Sequence, residues 1–382
     1  MPLAVEFLAA TAVAALASAM LCPLVMAAGL WDNPDSARKQ HGTPTPTAGG
    51  VAAAAGFALA LALLTFWPGA RWSDPLSGEV LLRTGLAVAA AFAALLLGLI
   101  DDVANLNARF KFGVVAVLGL LVAVFIARAD AFPVGGAVTF ALPMVVAALG
   151  SALFVFTLTN AVNFMDGANG LAMGSVAIGL VGMAVLGLTH GAPHVTALCL
   201  CGVGGLIGLL LWNFPNGRIF AGDAGALFIG MLASVAALLL VRDGGVTPVV
   251  PPLLFFPLLA DVLLTLAHRV KHARPLLQPH RDHLYQVGLR AGLSHRRVAL
   301  IYWAATAHCA AMGVIAAFGP RIAPPSLFAP QPGDVSDMQV ALMQSAGWVA
   351  ALAPIIALAI LAAVSMHLSD RIRRYAAAQT WT

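Results

Sequence analysis

Eleven long apolar runs, separated by short polar stretches, restrict this chain to one class of fold. They occupy residues 3–30, 49–68, 81–100, 112–128, 137–158, 170–189, 195–212, 219–241, 247–267, 298–319 and 343–366. An α-helix needs about 20 apolar residues to cross a bilayer, and these runs cluster around that length. Only 20 basic and 16 acidic residues punctuate them, 9% of the 382, where a soluble domain carries roughly 25%. No aqueous core of this size could bury a chain that is 61% apolar. Intrinsic disorder, a nucleic-acid binder and a secreted disulfide scaffold are excluded. The expectation is an all-α polytopic membrane protein with about 11 transmembrane helices, forming one integral-membrane domain over 1–382.

The first run lacks a basic segment before it and is too long for the core of a cleavable leader, so it reads as a retained span. Cys22, Cys199, Cys201 and Cys309 lie in apolar stretches without metal-ligand neighbours. They read as small core residues.

Eleven spans put alternate loops on opposite sides. One side then collects fifteen basic residues and the other only Arg71, Arg83, Arg128, Arg242 and Arg321. Basic residues are retained in the cytoplasm, so the N-terminus is expected outside and the C-terminus inside. The polar clusters able to do chemistry all fall on that inner side, in loops 31–48, 101–111, 158–169, 213–224 and 268–297. A merely solvated rim would decorate both sides alike.

Asp101 and Asp102 close an apolar run. Adjacent carboxylates at a membrane boundary repel unless a cation offsets them. A solvated helix end is the plainer reading, with Arg109 and Lys111 following in the same loop. Asn160, Asn163, Asp166 and Asn169 sit among Gly167 and Gly170, either as turn formers or as a polar set where glycine admits a ligand close to the backbone. Asn213 precedes a Pro/Gly-containing junction that ends at Gly222-Asp223. Asp223 there suits a helix cap or a carboxylate holding Mg²⁺ against a phosphate. Asp261 lies inside the ninth run, where a buried carboxylate marks a functional site or a structural pair with Arg269 or another helix. The last inner loop carries Arg281, Asp282 and His283 in a dense basic string suited to phosphate. Its histidines match no zinc spacing, and no Walker, kinase or nucleophile-elbow motif occurs.

Taken in order, these clusters resemble the polyprenyl-phosphate N-acetylhexosamine-1-phosphate transferase family, which holds the WecA-type and WbpL-like enzymes and the MraY translocase. The resemblance rests on DNPDSARKQHGTPTPTAGG (32–50), LGLIDDVANLNARFKF (97–112), NAVNFMDGANGLA (160–172), GRIFAGDAGALFIG (217–230) and PHRDHLYQ (279–286). It implies transfer of a HexNAc-1-phosphate from a UDP-N-acetylhexosamine to undecaprenyl or another polyprenyl phosphate, starting an O-antigen, capsule or other envelope glycan. It implies Mg²⁺, with Mn²⁺ as an alternative, and a multi-pass protein of the bacterial inner membrane working on its cytoplasmic side. A homodimer is left open; nucleic acid has no part. By the same resemblance Asp223 ligates the metal, and Asp101 and Asp102 lie at the acceptor phosphate or metal. Asp166 and His283 complete the catalytic set. Lys39, with Arg38 or His41, would meet the lipid phosphate. Asn160, Asn163, Asn169, Asn213, Asp261 and Arg281 complete the substrate-binding set.

Three features depart from the family pattern. Asn169 stands where WecA and MraY carry Asp, Ala226 replaces a Ser, and Leu284-Tyr285-Gln286 interrupts a multi-histidine string. The Tyr-Gln form resembles the WbpL-like branch and argues against the MurNAc-pentapeptide enzyme, the alternative within the family. A transporter, the alternative of another class, would place its polar residues near the bilayer midplane, and a non-catalytic scaffold needs no carboxylates at the loop junctions.

Overall fold

The computed structural model describes residues 3–28, 31–32, 45–67, 71–73, 76–135, 138–276, 278, 280–318 and 337–378. Helices dominate: α1 (Leu3–Ala27), α2 (Gly49–Phe66), α3 (Gly78–Ala104), α4 (Ala108–Phe125), α5 (Met144–Met165), α6 (Leu171–Thr189), α7 (Pro193–Asn213), α8 (Gly222–Gly244), α9 (Val250–Leu254), α10 (Phe256–Lys271), α11 (Leu284–Arg290), α12 (His295–Phe318) and α13 (Asp337–Ala378). Two short antiparallel pairs accompany them, β1 (Trp31–Asp32) with β2 (Thr45–Pro46) and β3 (Ala131–Gly135) with β4 (Val138–Ala141). Among the described residues, ten helices are long and apolar enough to span a bilayer, as an all-α polytopic membrane protein requires.

The ninth run differs for a covalent reason. The apolar stretch 247–267 is not one continuous helix but two, α9 and α10, parted at Phe255. Pro257 has no N–H to donate to the Leu253 carbonyl, and its ring would clash with that carbonyl in a continuous helix. α5 also starts seven residues later than the apolar run, because 131–135 and 138–141, rich in β-formers, pair as antiparallel strands. Asn160 and Asn163 consequently lie on the last turns of α5 rather than in a loop.

Position within the bundle follows composition. α8 is apolar on every face and sits at the centre, with 94% of its spanning window buried, as expected of a helix without a polar stripe. It packs against α2, α3, α5, α6 and α7. α13 lies at the rim, with 6% of its window buried. Between helices in lipid, association depends on close packing of small residues. Gly50 of α2 meets Gly225 of α8 so closely that a Cβ on Gly50 would fall 1.9 Å from the Gly225 Cα. Backbone bonds fix this junction: Phe220 N–H to the Pro46 carbonyl (2.9 Å), Gly49 N–H to Phe220 (2.8 Å) and Gly50 N–H to Ala221 (2.9 Å). The start of α2 is thereby docked on the start of α8. The four cysteines are buried.

Helix ends assigned to one side by the alternation of spans do meet. Arg83, His194 and Asp243, from three ends on one side, form a cluster with Arg83–Asp243 and His194–Asp243 contacts of 3.0 Å each. The chemistry-bearing residues gather at the opposite ends of the same helices.

Candidate active site

The end of α3, the starts of α4 and α8 and the end of α5 converge on one point. Asp101 and Asp102 belong to the last turn of α3, Lys111 to the first turn of α4, Asn163 to the last turn of α5 and Asp223 to the first turn of α8. Lys111 Nζ lies 2.5 Å from Asp101 Oδ2 and 2.6 Å from Asp223 Oδ2. The Asn163 amide donates to Asp223 Oδ1 at 2.7 Å. Asp102 accepts from the backbone N–H groups of Asp223 (2.9 Å) and Ala224 (3.1 Å), so it caps α8. The other oxygen of Asp101 accepts from Leu106 N–H at 2.7 Å and fixes the turn into α4. α3 can approach this closely because residue 98 is glycine: a Cβ there would lie 2.3 Å from the Asp223 carbonyl oxygen.

Asp166 follows α5 directly. Burial, then the charges of Asp223 and Asp102, raises its carboxyl well above the usual range. Asp166, Asp223 and Asp102 thus influence one another at this junction.

Beside this cluster, the 166–170 turn is braced by amides. Asn213 accepts from Gly170 N–H (2.6 Å) and donates to the Ile219 carbonyl (2.8 Å), tying the turn to the α7–α8 junction. Asn169 donates to the Pro215 carbonyl at 3.0 Å, while its own N–H meets His295 Nδ1 at 3.2 Å. Trp303 Nε1 donates to the Gly170 carbonyl at 3.0 Å. Asn160 is buried and its amide bonds back to the Phe156 carbonyl at 2.7 Å. Of the four amides in the sequence-derived set, Asn163 alone contacts Asp223 among the described residues.

Asp261 works at a distance from that contact. Five donors surround its carboxylate: Thr265 Oγ1 (3.2 Å), His283 Nδ1 (3.3 Å), the N–H groups of Leu284 (2.9 Å) and Tyr285 (3.2 Å), and Tyr302 OH (2.5 Å). It anchors the start of α11. From there Tyr285 OH reaches the Phe164 carbonyl at 3.1 Å, joining the 280s loop to the end of α5, and the buried His283 ring stacks at 6.0 Å on Phe164. Of the two structural alternatives for Asp261, the partner on another helix is the one present, Tyr302 of α12, while Arg269 pairs with Asp282. Burial opposes the charge on Asp282, but Arg269, His280 and Arg274 outweigh it and hold the carboxyl below its ordinary range. Half-buried Arg281 gives its carbonyl to Arg290 at 2.8 Å. Lys39, Arg38 and His41 lie outside the described residues.

Sequence reasoning passed over Lys111, Tyr302, His295 and Trp303. Lys111 carried one signal, being among three lysines in a chain whose other 17 cationic residues are arginines.

Among the described residues no three His, Cys, Asp or Glu side chains form a ready cage for a metal. A hard octahedral ion asks for less, since Mg²⁺ typically takes one or two carboxylates and completes its shell with water and substrate phosphate. The all-oxygen set of Asp223, Asp101 and Asp102 fits such an ion. A cation is already accommodated between Asp101 and Asp223 in the form of the Lys111 ammonium.

Residues 84–241, which include all five clustered side chains, match the glycosyl transferase family 4. The decaprenyl-phosphate N-acetylglucosaminephosphotransferase of Mycobacterium tuberculosis is 32% identical over 295 residues, covering 70% of each chain. The chain belongs to glycosyl transferase family 4. Another relative, a probable undecaprenyl-phosphate N-acetylglucosaminyl 1-phosphate transferase of Bacillus subtilis, is 29% identical over 56% of this chain, which spans 60% of that relative's length. A phospho-N-acetylmuramoyl-pentapeptide-transferase of Desulforudis audaxviator is 30% identical over 71% of this chain and 84% of its own. The family match ends before Asp261 and His283, so the anchor of the 280s loop lies beyond it.

Proposed function

We propose that this protein transfers an N-acetylhexosamine 1-phosphate from a UDP-sugar to undecaprenyl or another polyprenyl phosphate, releasing UMP and starting an O-antigen, capsule or related envelope glycan. The observation that carries this reading is the meeting of Asp101, Asp102, Lys111, Asn163 and Asp223 at four helix ends, in a chain whose relatives bear the names of polyprenyl-phosphate sugar-phosphate transferases. An acceptor phosphate oxygen forms the new bond to the sugar-bearing phosphorus of the donor. The bond from that phosphorus to the bridging oxygen breaks, and UMP leaves with the electron pair.

A phosphate monoester has a second pKa of about 6, so the acceptor is mostly dianionic at neutral pH. It needs positioning and charge relief more than deprotonation. Lys111 supplies a fixed positive charge between Asp101 and Asp223. Asn163 fixes the rotamer of Asp223, and Asp102, by capping α8, fixes where Asp223 begins. Asp101 or Asp102 orients the acceptor, and Asp166, with its raised proton affinity, faces the donor side. Mg²⁺ or Mn²⁺ held at Asp223 would supply charge neutralisation to the donor diphosphate. His283 and Tyr285 border the same region through Phe164.

In this reading the clustered ends face the cytoplasm of a bacterial inner membrane, in line with the fifteen-to-five bias of basic residues. The isoprenoid stays in lipid while the UDP-sugar arrives from water. Assembly as a homodimer is compatible with it.

The test is UMP release by the purified protein with undecaprenyl phosphate and Mg²⁺, against UDP-GlcNAc, UDP-GalNAc, UDP-QuiNAc, UDP-FucNAc and UDP-MurNAc-pentapeptide. Lipid-dependent release from one HexNAc donor, abolished by EDTA, is expected. Turnover of UDP-MurNAc-pentapeptide alone would move the protein to the peptidoglycan reaction, which the Desulforudis relative favours. Silence with every donor, beside an active WecA-type enzyme, would overturn the assignment.

A further inference from the structure

A cavity of about 630 Å³ opens between α10 and α13, bordered by neither Asp101, Asp223 nor Asn163. Its walls change character along both helices. Leu264 and Ala267 of α10 and Met366 of α13 form one end, while Lys271 and Arg374 form the other, with Asp370 at the rim. Seven residues of helix separate Leu264 from Lys271 and eight separate Met366 from Arg374, about 10–12 Å at 1.5 Å per residue. The two gradients are in register, because Arg373 donates to Thr265 Oγ1 at 2.9 Å and locks the helices side by side. Arg373 itself is committed, giving a second bond to the Asp282 carbonyl at 2.9 Å. Lys271 and Arg374 have no carboxylate partner among the described residues. With Arg373 also in the lining, three cations stand against Asp370 and leave two net positive charges, which favours an anionic headgroup over a zwitterionic one.

The cavity also lies where a lipid can enter. The apolar flank continues outward through the exposed side chains Leu263, Val270, Leu368 and Ile372, and α13 is the least buried of the spanning helices. A soluble anion would have no use for such a wall, whereas an acyl chain would. Basic pockets between helices at the inner leaflet are suited to anionic headgroups.

We propose that the α10–α13 cavity binds an anionic glycerophospholipid, its phosphodiester between Lys271 and Arg374 and its upper acyl chains along Leu264, Ala267 and Met366. This inference goes beyond the transferase reading and rests on one part of it, the orientation that places both basic ends at the inner leaflet.

Native mass spectrometry of the full-length protein in detergent, titrated with phosphatidylglycerol or phosphatidylcholine, tests it. One retained phosphatidylglycerol per chain is expected, held about tenfold or more tightly than phosphatidylcholine, as two basic residues near a lipid phosphate would give. Lys271→Gln and Arg374→Gln should each weaken that preference and together remove it. The Arg296→Gln/Arg297→Gln control, which deletes equal charge from exposed positions of α12, should keep it. Equal retention by the double cavity variant would overturn the proposal, as would displacement of the lipid by millimolar inorganic phosphate, which would mark a site for free anions. Labelling of Arg297→Cys by a membrane-impermeant maleimide reports orientation separately: reaction from outside intact cells would refute the topology without touching the retention result.

Discussion

Asp102 accepts the N–H of Asp223 at 2.9 Å, so one carboxylate caps the very helix on which the other stands. The two aspartates are therefore expected to fail differently when neutralised. Asp223→Asn keeps the cap and loses the charge held between Lys111 and Asn163. UMP release should fall by at least about a hundredfold, as for loss of a charge-stabilising group, with little change in thermal midpoint. Asp102→Asn should lose activity and also leave one of the two N–H groups at the start of α8 without an acceptor, a loss of about 1 kcal/mol or more. Activity assays beside melting curves in detergent check both, and retained turnover in both variants would sink the residue assignments.

Lys111 occupies the space between Asp101 and Asp223 at 2.5 and 2.6 Å, where a divalent cation would compete with its ammonium. Lys111→Gln is expected to lower kcat by roughly ten- to a thousandfold, the range for loss of one stabilising donor or charge. The same change should tighten the apparent affinity for Mg²⁺, because the resident competitor is gone. A Mg²⁺ titration of UMP release separates the two effects. Unchanged Mg²⁺ affinity together with undiminished turnover would show that the ammonium is a bystander.

Much of this site was legible because lipid leaves polar residues few reasons to exist. Asp101, Asp102 and Asp223 announced themselves as carboxylates where apolar runs begin and end, and one side gathered them all. What the sequence hid were partnerships across long separations. Lys111 looked like an ordinary basic loop residue, since its contact with Asp223 spans 112 positions. Asp261 was visible as a buried acid, yet its partner Tyr302 lies 41 residues away and two more of its donors are backbone groups that leave no residue signature. The amides of Asn160 and Asn163 read as a loop because polarity marks a membrane boundary and not a helix end; α5 continues through both. The break between α9 and α10 had a signal in Pro257, which apolar composition outweighed.

Asp261 is buried with five donors around it, so its charge is spent on holding the start of α11. Asp261→Ala strands those donors away from water, and loss of a buried charged acceptor typically destabilises by about 3–5 kcal/mol. The thermal midpoint should therefore drop further than in Asp223→Asn. Tyr302→Phe removes a single donor and is expected to cost about 1–3 kcal/mol, as for a hydrogen bond to a charged group. If Asp261→Ala melted with the wild type, the anchor would be ornamental.

Acid should loosen the loop carrying His280 and Asp282. Burial, then the positive charges of His283 and Arg269, lowers His280 to about 4, against about 6.5 in an unfolded chain. Between those values the unfolded state holds a proton that the folded state refuses, so stability declines as pH falls from about 6.5 toward 4. Asp282, depressed by Arg269, adds a loss in the same direction as the pH approaches its folded value. The wild-type melting temperature should fall between pH 7.5 and 5, and His280→Gln should fall less. Parallel curves for the two proteins would refute the assignment to His280.

The approach of α3 to α8 gives the sharpest steric test, because two glycines of one helix make opposite forecasts. A Cβ at Gly98 would sit 2.3 Å from the Asp223 carbonyl oxygen, while one at Gly85 meets nothing within 4 Å. Backbone cannot yield as a flexible side chain does, so Gly98→Ala must push α3 away from the start of α8, and such overpacking costs about 1–3 kcal/mol. The displacement carries Asp101 and Asp102 with it, one turn further along α3, and a shift near 1 Å at reacting groups suffices for a hundredfold loss of rate. Gly85→Ala should leave turnover unchanged and raise stability by up to about 1 kcal/mol through helix propensity alone. Equal behaviour of the two variants, in melting and in UMP release, would mean that the contact between Gly98 and Asp223 does not set the geometry of the site.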